Sequence, residues 1–298
     1  MKLSIGITTA LHLDDAINIA RLSEENNYYR IWVGEELQGP DIFTYISILA
    51  SNTTNIGLGT GITSLWVRNL AVIANSISGI QINSGGRFTA GLGVGGIPEL
   101  QKILGEKPKE TIARVRENIF LLRKIITGEK ITIQSDFNDF QRYKLAYKVP
   151  SLKIYLGVRG KKMLKLAGEI ADGVIFSGPL KSLINDVRIL EKSAKKNGRN
   201  PNEICKVLWN PFVLSEKNEA INLARDVVSV MLGSMPKRSN EWVVEKEIVD
   251  LCIYGNKKEI MRKISDLESI GFNELVLGPP YGKNPSKVIE SFGRRNQD

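Results

Sequence analysis

Short runs of uninterrupted apolar residues alternate along this chain with stretches whose apolar positions recur every three or four residues. The runs fall at 2–7, 30–33, 56–59, 88–94, 153–156, 173–176, 204–213 and 274–277. A run without polar alternation marks a strand covered on both faces, as in a parallel sheet flanked by helices. Between the runs, Leu13, Ile17 and Ala20 follow Asp14 and Asp15, whose charges suit a helix N-terminus. Ile112, Val115, Ile119 and Leu122 repeat the helical spacing, as do Leu183, Val187, Leu190 and Ala194, and then Ile260, Ile264 and Leu267. Eight strands alternating with helices predict an α/β protein, a (β/α)8 TIM barrel in preference to an open doubly wound sheet. No glycine- or proline-rich linker divides the 298 residues, so 1–298 reads as a single domain. Two segments interrupt the alternation. Residues 131–150 look like a hairpin inserted before the fifth strand, and 233–255 form an irregular excursion carrying Met235, Pro236 and Trp242. Each is expected either to wall the active site or to cap the barrel without touching a ligand.

Composition narrows the chemistry. Hydrophobic residues at 42% and charged ones at 24% are those of a globular enzyme. No apolar run reaches the ~20 residues that span a bilayer, and the first residues open a strand instead of a signal peptide. A cytoplasmic protein without membrane attachment is expected. Cys205 and Cys252 stand far apart without metal-ligand spacing and read as reduced structural thiols. The single histidine, His12, has no partner for a histidine metal site or a Ser/His/Asp triad, so no metal is expected. It follows the first strand, where it either starts a helix or touches a ligand. The net charge of +9 points to an acidic ligand or to a solvated lysine-rich surface. Aromatic residues do not interleave with the basic clusters, so nucleic-acid binding is not expected.

In a barrel, the loops leaving the carboxyl ends of the strands converge on one mouth. They carry Thr8 and Thr9; Gly34, Glu35 and Glu36; Thr60, Gly61, Ile62 and Thr63; Val94, Gly95 and Gly96; Val158, Arg159 and Gly160; Ser177 and Gly178; Asn210 and Pro211; and Gly278, Pro279 and Pro280. Glu35 and Glu36 are the candidate catalytic residues, because adjacent carboxylates in a cleft have their pKa values pushed apart. The alternative is one helix cap and one solvated acid. The glycines between positions 55 and 96 allow backbone amides to approach a large, flat, anionic ligand where a Cβ would collide. Gly157, Val158, Arg159 and Gly160, followed by Lys161 and Lys162, form either a phosphate site at a helix start or a plain βα turn. Gly93-Val94-Gly95-Gly96 lacks the spacing and the downstream acid of a dinucleotide fingerprint, so a Rossmann fold is rejected. A mouth poor in nucleophiles and rich in glycine and hydroxyls suits a protein that positions a cofactor and lets it carry the reaction.

Two blocks carry a family resemblance. One is Gly59-Thr60-Gly61-Ile62-Thr63 with Val67-Arg68, then Gly86-Arg87 and Gly91-Leu92-Gly93-Val94-Gly95. The other runs from Ile154-Tyr155-Leu156-Gly157 through Gly160, Met163-Leu164-Lys165 and Ala167-Gly168-Glu169-Ile170-Ala171-Asp172-Gly173. Here the chain resembles the bacterial luciferase-like superfamily, with the nearest resemblance to deazaflavin-dependent methylenetetrahydromethanopterin reductases of archaea. The resemblance implies a barrel that binds coenzyme F420 or FMN at its mouth, usually as a homodimer. It implies a non-proline cis peptide in the third-strand bulge, at Gly61–Ile62, supporting the deazaflavin ring. The implied cofactor contacts are Thr60, Gly61, Ile62 and Thr63; Val94, Gly95 and Gly96; and Gly157, Val158, Arg159 and Gly160. The acidic tail of the deazaflavin would give the +9 charge a partner. The chain departs from the reductases at Gly6, where they carry a first-strand glutamate, and at Glu35-Glu36, where they carry an aspartate–histidine pair. Three functions fit: an F420-dependent oxidoreductase passing a hydride to a small electrophilic substrate, related to methylenetetrahydromethanopterin or another CH–NH compound; an FMN-dependent monooxygenase; or a non-catalytic cofactor-binding protein. The small residues Ala71, Ala74, Ser76, Ser78 and Gly79 permit either helix approach in a homodimer or packing on the barrel.

Overall fold

The computed structural model describes residues 1–233 and 244–293. Met235, Pro236 and Trp242 of the second insertion lie outside the described residues. Parallel strands β1 (Lys2–Thr8), β2 (Arg30–Gly34), β3 (Gly57–Thr60), β4 (Phe88–Gly93), β5 (Lys153–Val158), β6 (Gly173–Phe176), β7 (Cys205–Leu214) and β8 (Glu274–Tyr281) pair in chain order. The ring closes where β8 meets β1, with Lys2 opposite Glu274 and Ser4 opposite Val276. Every strand expected from the apolar runs is present. Strands β1, β2, β5 and β8 extend further toward the mouth, because glycine and hydroxyl residues that read as loop continue the paired backbone.

The helices are α1 (Leu13–Glu25), α2 (Ile42–Ser51), α3 (Leu70–Asn83), α4 (Ile97–Leu104), α5 (Thr111–Ile126), α6 (Lys161–Ile170), α7 (Leu183–Lys196), α8 (Lys217–Gly233), α9 (Glu245–Leu251), α10 (Lys257–Ser269) and α11 (Pro285–Gly293). Alternate strand residues such as Ile5, Ile31, Leu58, Ala90, Leu156, Leu208 and Leu277 are buried in the shell against them. The opposite faces fill the barrel with Trp32, Tyr155, Ile175, Val207 and Val276. Large rings inside a narrow barrel need neighbours without side chains. A Cβ on Gly59 would stand 2.6 Å from Trp32 Cε3, and one on Gly173 would stand 2.5 Å from Tyr155 Cζ. Gly59 and Gly173 therefore leave room for the barrel's own aromatics.

The N-terminal pole is closed by charge. Glu274, fully buried, accepts from Ser4 Oγ at 2.6 Å, Trp32 Nε1 at 2.6 Å and Arg30 Nη1 at 3.3 Å. Burial alone would lower the Arg30 pKa, but the charge of Glu274 together with Tyr155, Tyr29 and Cys205 outweighs it and the net direction is up. The first insertion is a hairpin, Ile131–Gln134 against Asp139–Tyr143. It follows a helix and precedes β5, so the chain has returned to this pole. Tyr143 Oη accepts from Asn75 Nδ2 of α3 at 3.1 Å, and Asn138 Nδ2 donates to Asn118 of α5 at 2.8 Å. The hairpin braces α3 and α5, and Tyr143 Oη also donates to Ala71 O in the first turn of α3 at 3.2 Å. The second insertion reaches the mouth side: its strand Ile253–Gly255 pairs with the end of β7, and Leu251 O accepts from Asn210 Nδ2 at 2.8 Å.

Candidate functional site

The end of β3 is built as a bulge. Gly59 lies opposite Thr89 of β4, but Thr63 lies opposite Leu92, so β3 carries one extra residue. The Gly61–Ile62 peptide within it is cis. Several groups fix this kink. Gly61 N donates to Val33 O at 2.7 Å, Thr60 Oγ1 donates to Gly91 O at 2.7 Å and accepts from Gly91 N at 2.8 Å, and Ser64 Oγ donates to Val94 O at 2.6 Å. The Ile62 side chain turns into the barrel over β4 and β5. A Cβ on Gly157 would stand 2.7 Å from its Cγ2, and one on Gly93 would stand 3.3 Å from its Cδ1.

Glu35 is the clamp of this bulge. Its Oε2 accepts from Thr63 Oγ1 at 2.9 Å and Ser64 N at 3.0 Å, and its Oε1 accepts from Arg68 Nη1 at 2.6 Å. Arg68 also reaches Asp41, the cap of α2, at 2.6 Å. With both oxygens engaged and the side chain 4% exposed, Glu35 is placed to position the bulge instead of exchanging protons. The hydroxyls of Thr60 and Thr63 are likewise committed to protein partners.

Glu36 is the freer acid. Its backbone N donates to Thr9 Oγ1 at 3.0 Å, which ties its loop to the end of β1. Burial, and then the charge of Glu99, raise its carboxyl above the ordinary 4.5. Glu99 stands in the first turn of α4, behind the Val94-Gly95-Gly96 loop, and its buried Oε2 finds no donor among the described residues. Its charge also reaches Arg159 at the end of β5. The Arg159 guanidinium is lowered by desolvation and raised in part by Glu99, the net direction being down. Arg159 is exposed to solvent at the end of β5. The sequence reading missed Glu99. The signal was available in a carboxylate three residues beyond a strand-end glycine, where an acid both complements a helix N-terminus and faces the mouth.

Helix α6 begins at Gly160, φ 83°, and no side chain caps it. Its first-turn amides, with Arg159 before them and Lys161 and Lys162 among them, form a donor set suited to an anion. The structure thus brings the β2, β4 and β5 ends together around Glu36, Glu99 and Arg159, and sets the β3 bulge beside them. Asn210 is withdrawn from this set: it is fully buried and binds Gly178 O and Leu251 O, each at 2.8 Å. His12 starts α1 with its side chain 76% exposed, 3.8 Å from Asp14. Among the described residues no cluster of His, Cys, Asp and Glu could hold a metal, and no helix is long and apolar enough to cross a membrane. Two surface cavities, of about 430 and 520 Å³, lie away from the mouth, the larger at the N-terminal pole around Arg30, Arg87 and Lys153. Barrel chemistry takes place at the opposite end, so neither is assigned a catalytic role.

Comparison with known proteins agrees with this architecture. The chain is 29% identical to the 5,10-methylenetetrahydromethanopterin reductase of Methanolobus tindarius, over 92% of this chain and 93% of that one. It is 24% identical to the F420-dependent glucose-6-phosphate dehydrogenase of Mycolicibacterium gilvum, over 90% and 86% of the respective chains. The coenzyme F420 dependent tetrahydromethanopterin reductase from Methanopyrus kandleri superposes with a TM-score of 0.88 at 21% identity, covering 98% of this chain and 97% of that one. An F420-dependent secondary alcohol dehydrogenase in complex with an F420-acetone adduct gives 0.88 at 18% identity, covering 98% and 97%. Residues 2–274 match the model of the luciferase-like monooxygenase family, to which this chain belongs.

Proposed function

We propose that this protein is a coenzyme F420-dependent oxidoreductase that transfers a hydride between the deazaflavin and a small electrophilic carbon. The observation that carries the reading is the bulge at the end of β3, clamped by Glu35, standing beside the uncapped, basic start of α6. Relatives in the sequence and structure comparisons whose names specify F420 support the choice of cofactor. Gly61 and Ile62 would back the ring, and Val94, Gly95 and Gly96 would border it. Gly157, Val158, Arg159 and Gly160, with the α6 amides, hold its acidic arm. When bound, the deazaflavin supplies the hydride carrier. The protein contributes orientation and a group for proton exchange: Glu36, raised above its ordinary pKa by burial and by Glu99, is placed to exchange a proton on the acceptor side of the reaction. Arg159 and Glu99 interact by charge on the same side of the mouth.

The substrate class is a neutral carbon electrophile, of which a CH–NH compound related to methylenetetrahydromethanopterin is one candidate. Two assays test the reading. Anaerobic mixing with reduced F420 and a panel of imines and ketones is expected to oxidise the cofactor in step with substrate reduction. Oxygen consumption with reduced FMN in place of this turnover would assign the chain to monooxygenase chemistry instead, and cofactor binding without any turnover would leave a binding protein. We also propose a cytoplasmic homodimer formed on α3, where Val72 and Ile82 are 51% and 46% exposed and Gly79 leaves open space between them. A monomer by light scattering at assay concentration would remove that part of the proposal.

A further inference from the structure

One side chain fills the axis of the barrel at the height of the mouth. Trp209 rises from β7, and glycines on the strands around it face its ring. A Cβ on Gly6 of β1 would stand 2.6 Å from Cε2 of the indole, one on Gly278 of β8 would stand 2.8 Å from Nε1, and one on Gly34 of β2 would stand 3.5 Å from Cη2. A Cβ on Gly61 would collide with the six-membered ring. The indole and these glycines are therefore one fitted unit that reaches from β7 to the cis bulge. Val207 and Val276 close the barrel beneath it and are fully buried, whereas Trp209 keeps part of its surface exposed. Among the described residues its Nε1–H has no acceptor, and that atom is not sealed from solvent. An indole that packs against its own barrel on one side and is open on the other is the floor of the recess beside Ile62.

We propose that Trp209 is the specificity-determining residue of this site. It limits the depth available to the substrate and offers its Nε1–H to a neutral acceptor, a carbonyl oxygen or an imine nitrogen. The proposal rests on the oxidoreductase reading above. An apolar floor rejects charged groups, which would lose their water against it without a counter-ion. The open N–H favours molecules that supply an acceptor, because a buried donor left unpaired is costly.

Two measurements test this together. Trp209→Gly removes the indole and leaves a cavity of its shape, and apolar cavities of this kind take up aromatic molecules. Millimolar indole is expected to raise the melting temperature of Trp209→Gly by several degrees and to leave the wild type unchanged. In parallel, F420 affinity is followed by deazaflavin fluorescence for the wild type and for Trp209→Ala. Both are then compared on acetone, cyclohexanone and acetophenone with reduced F420. The comparison is read as kcat/KM or, without turnover, as the ketone-dependent change in deazaflavin fluorescence. The expected result is a shift of preference toward acetophenone by about tenfold, the scale on which pocket size discriminates, with F420 affinity little changed. An unchanged preference with F420 still bound would overturn the proposal, and so would loss of F420 binding in Trp209→Ala, which would make the indole part of the cofactor seat. If the wild type takes up no F420, the oxidoreductase reading fails instead. The indole experiment then still decides whether Trp209 fills the mouth, and absence of rescue would refute that.

Discussion

Replacing Glu35 by alanine tests whether this acid builds the site or reacts in it. The substitution removes the acceptor of Thr63 Oγ1, Ser64 N and Arg68 Nη1, at 2.9, 3.0 and 2.6 Å. Glu35 and Arg68 are 4% and 18% exposed, so solvent screens the pair little. Removing one partner of a buried pair costs about 3–5 kcal/mol. Arg68 keeps Asp41 at 2.6 Å, which places the loss near the lower end, about 3 kcal/mol. At about 2.1 cal/mol/K per residue, the unfolding entropy of this chain is roughly 0.6 kcal/mol/K, so Tm should fall by about 5 °C. Scanning calorimetry of Glu35→Ala, Arg68→Ala and the double variant at neutral pH measures this. Arg68→Ala should cost less, because Glu35 retains Ser64 and Thr63. The double variant should cost less than the two single losses combined, as expected for residues in contact. A Tm within about 1 °C of wild type, with turnover abolished, would refute the positioning role and make Glu35 a reacting group.

Other outcomes follow from the same geometry. Glu36 has a folded pKa raised above its ordinary 4.5, so its favourable contribution to folding is complete below that pH and is lost as pH rises through the raised value. Glu36→Gln should therefore gain Tm relative to wild type as pH increases from 4.5, and a constant difference across pH would contradict the assignment. Glu274→Gln leaves Arg30 poorly compensated at the N-terminal pole and should cost about 3–5 kcal/mol in chemical denaturation, with F420 affinity unchanged. Gly157→Val would push a side chain into Ile62, since a Cβ there already stands 2.7 Å from its Cγ2. Overpacking of about 1–3 kcal/mol should appear in Tm, together with a weaker F420 titration.

The barrel was legible because its strands are buried on both faces and announce themselves as unbroken apolar runs. The cis bulge was legible only through resemblance, since nothing in the local composition of Gly61-Ile62 distinguishes it from the other strand-end glycines. What stands beside the glycines was not legible. The space beside Gly59, Gly61 and Gly173 is taken by Trp32, Trp209 and Tyr155 from other strands. No local pattern reveals which neighbour fills such a space. The same is true of Glu35 and Glu36, adjacent in the chain and equivalent as residue types. Arg68, 33 positions on, engages one of them, while Glu99 faces the other across the mouth. The first insertion was legible as a hairpin, but its packing against α3 and α5 was not, because Asn75 and Asn118 lie far from it in sequence.

The central claim is that a deazaflavin ring rests on the Gly61–Ile62 bulge with its acidic arm at the start of α6. Equilibrium titration of the wild-type protein with F420, followed by deazaflavin fluorescence and repeated with FMN, tests it most directly. The account predicts saturable binding of F420 at micromolar protein, weakened by added salt as the acidic arm loses Arg159, Lys161 and Lys162, and weaker binding of FMN. An F420 signal that stays linear to the highest concentration, or saturable FMN binding without F420 binding, would contradict it.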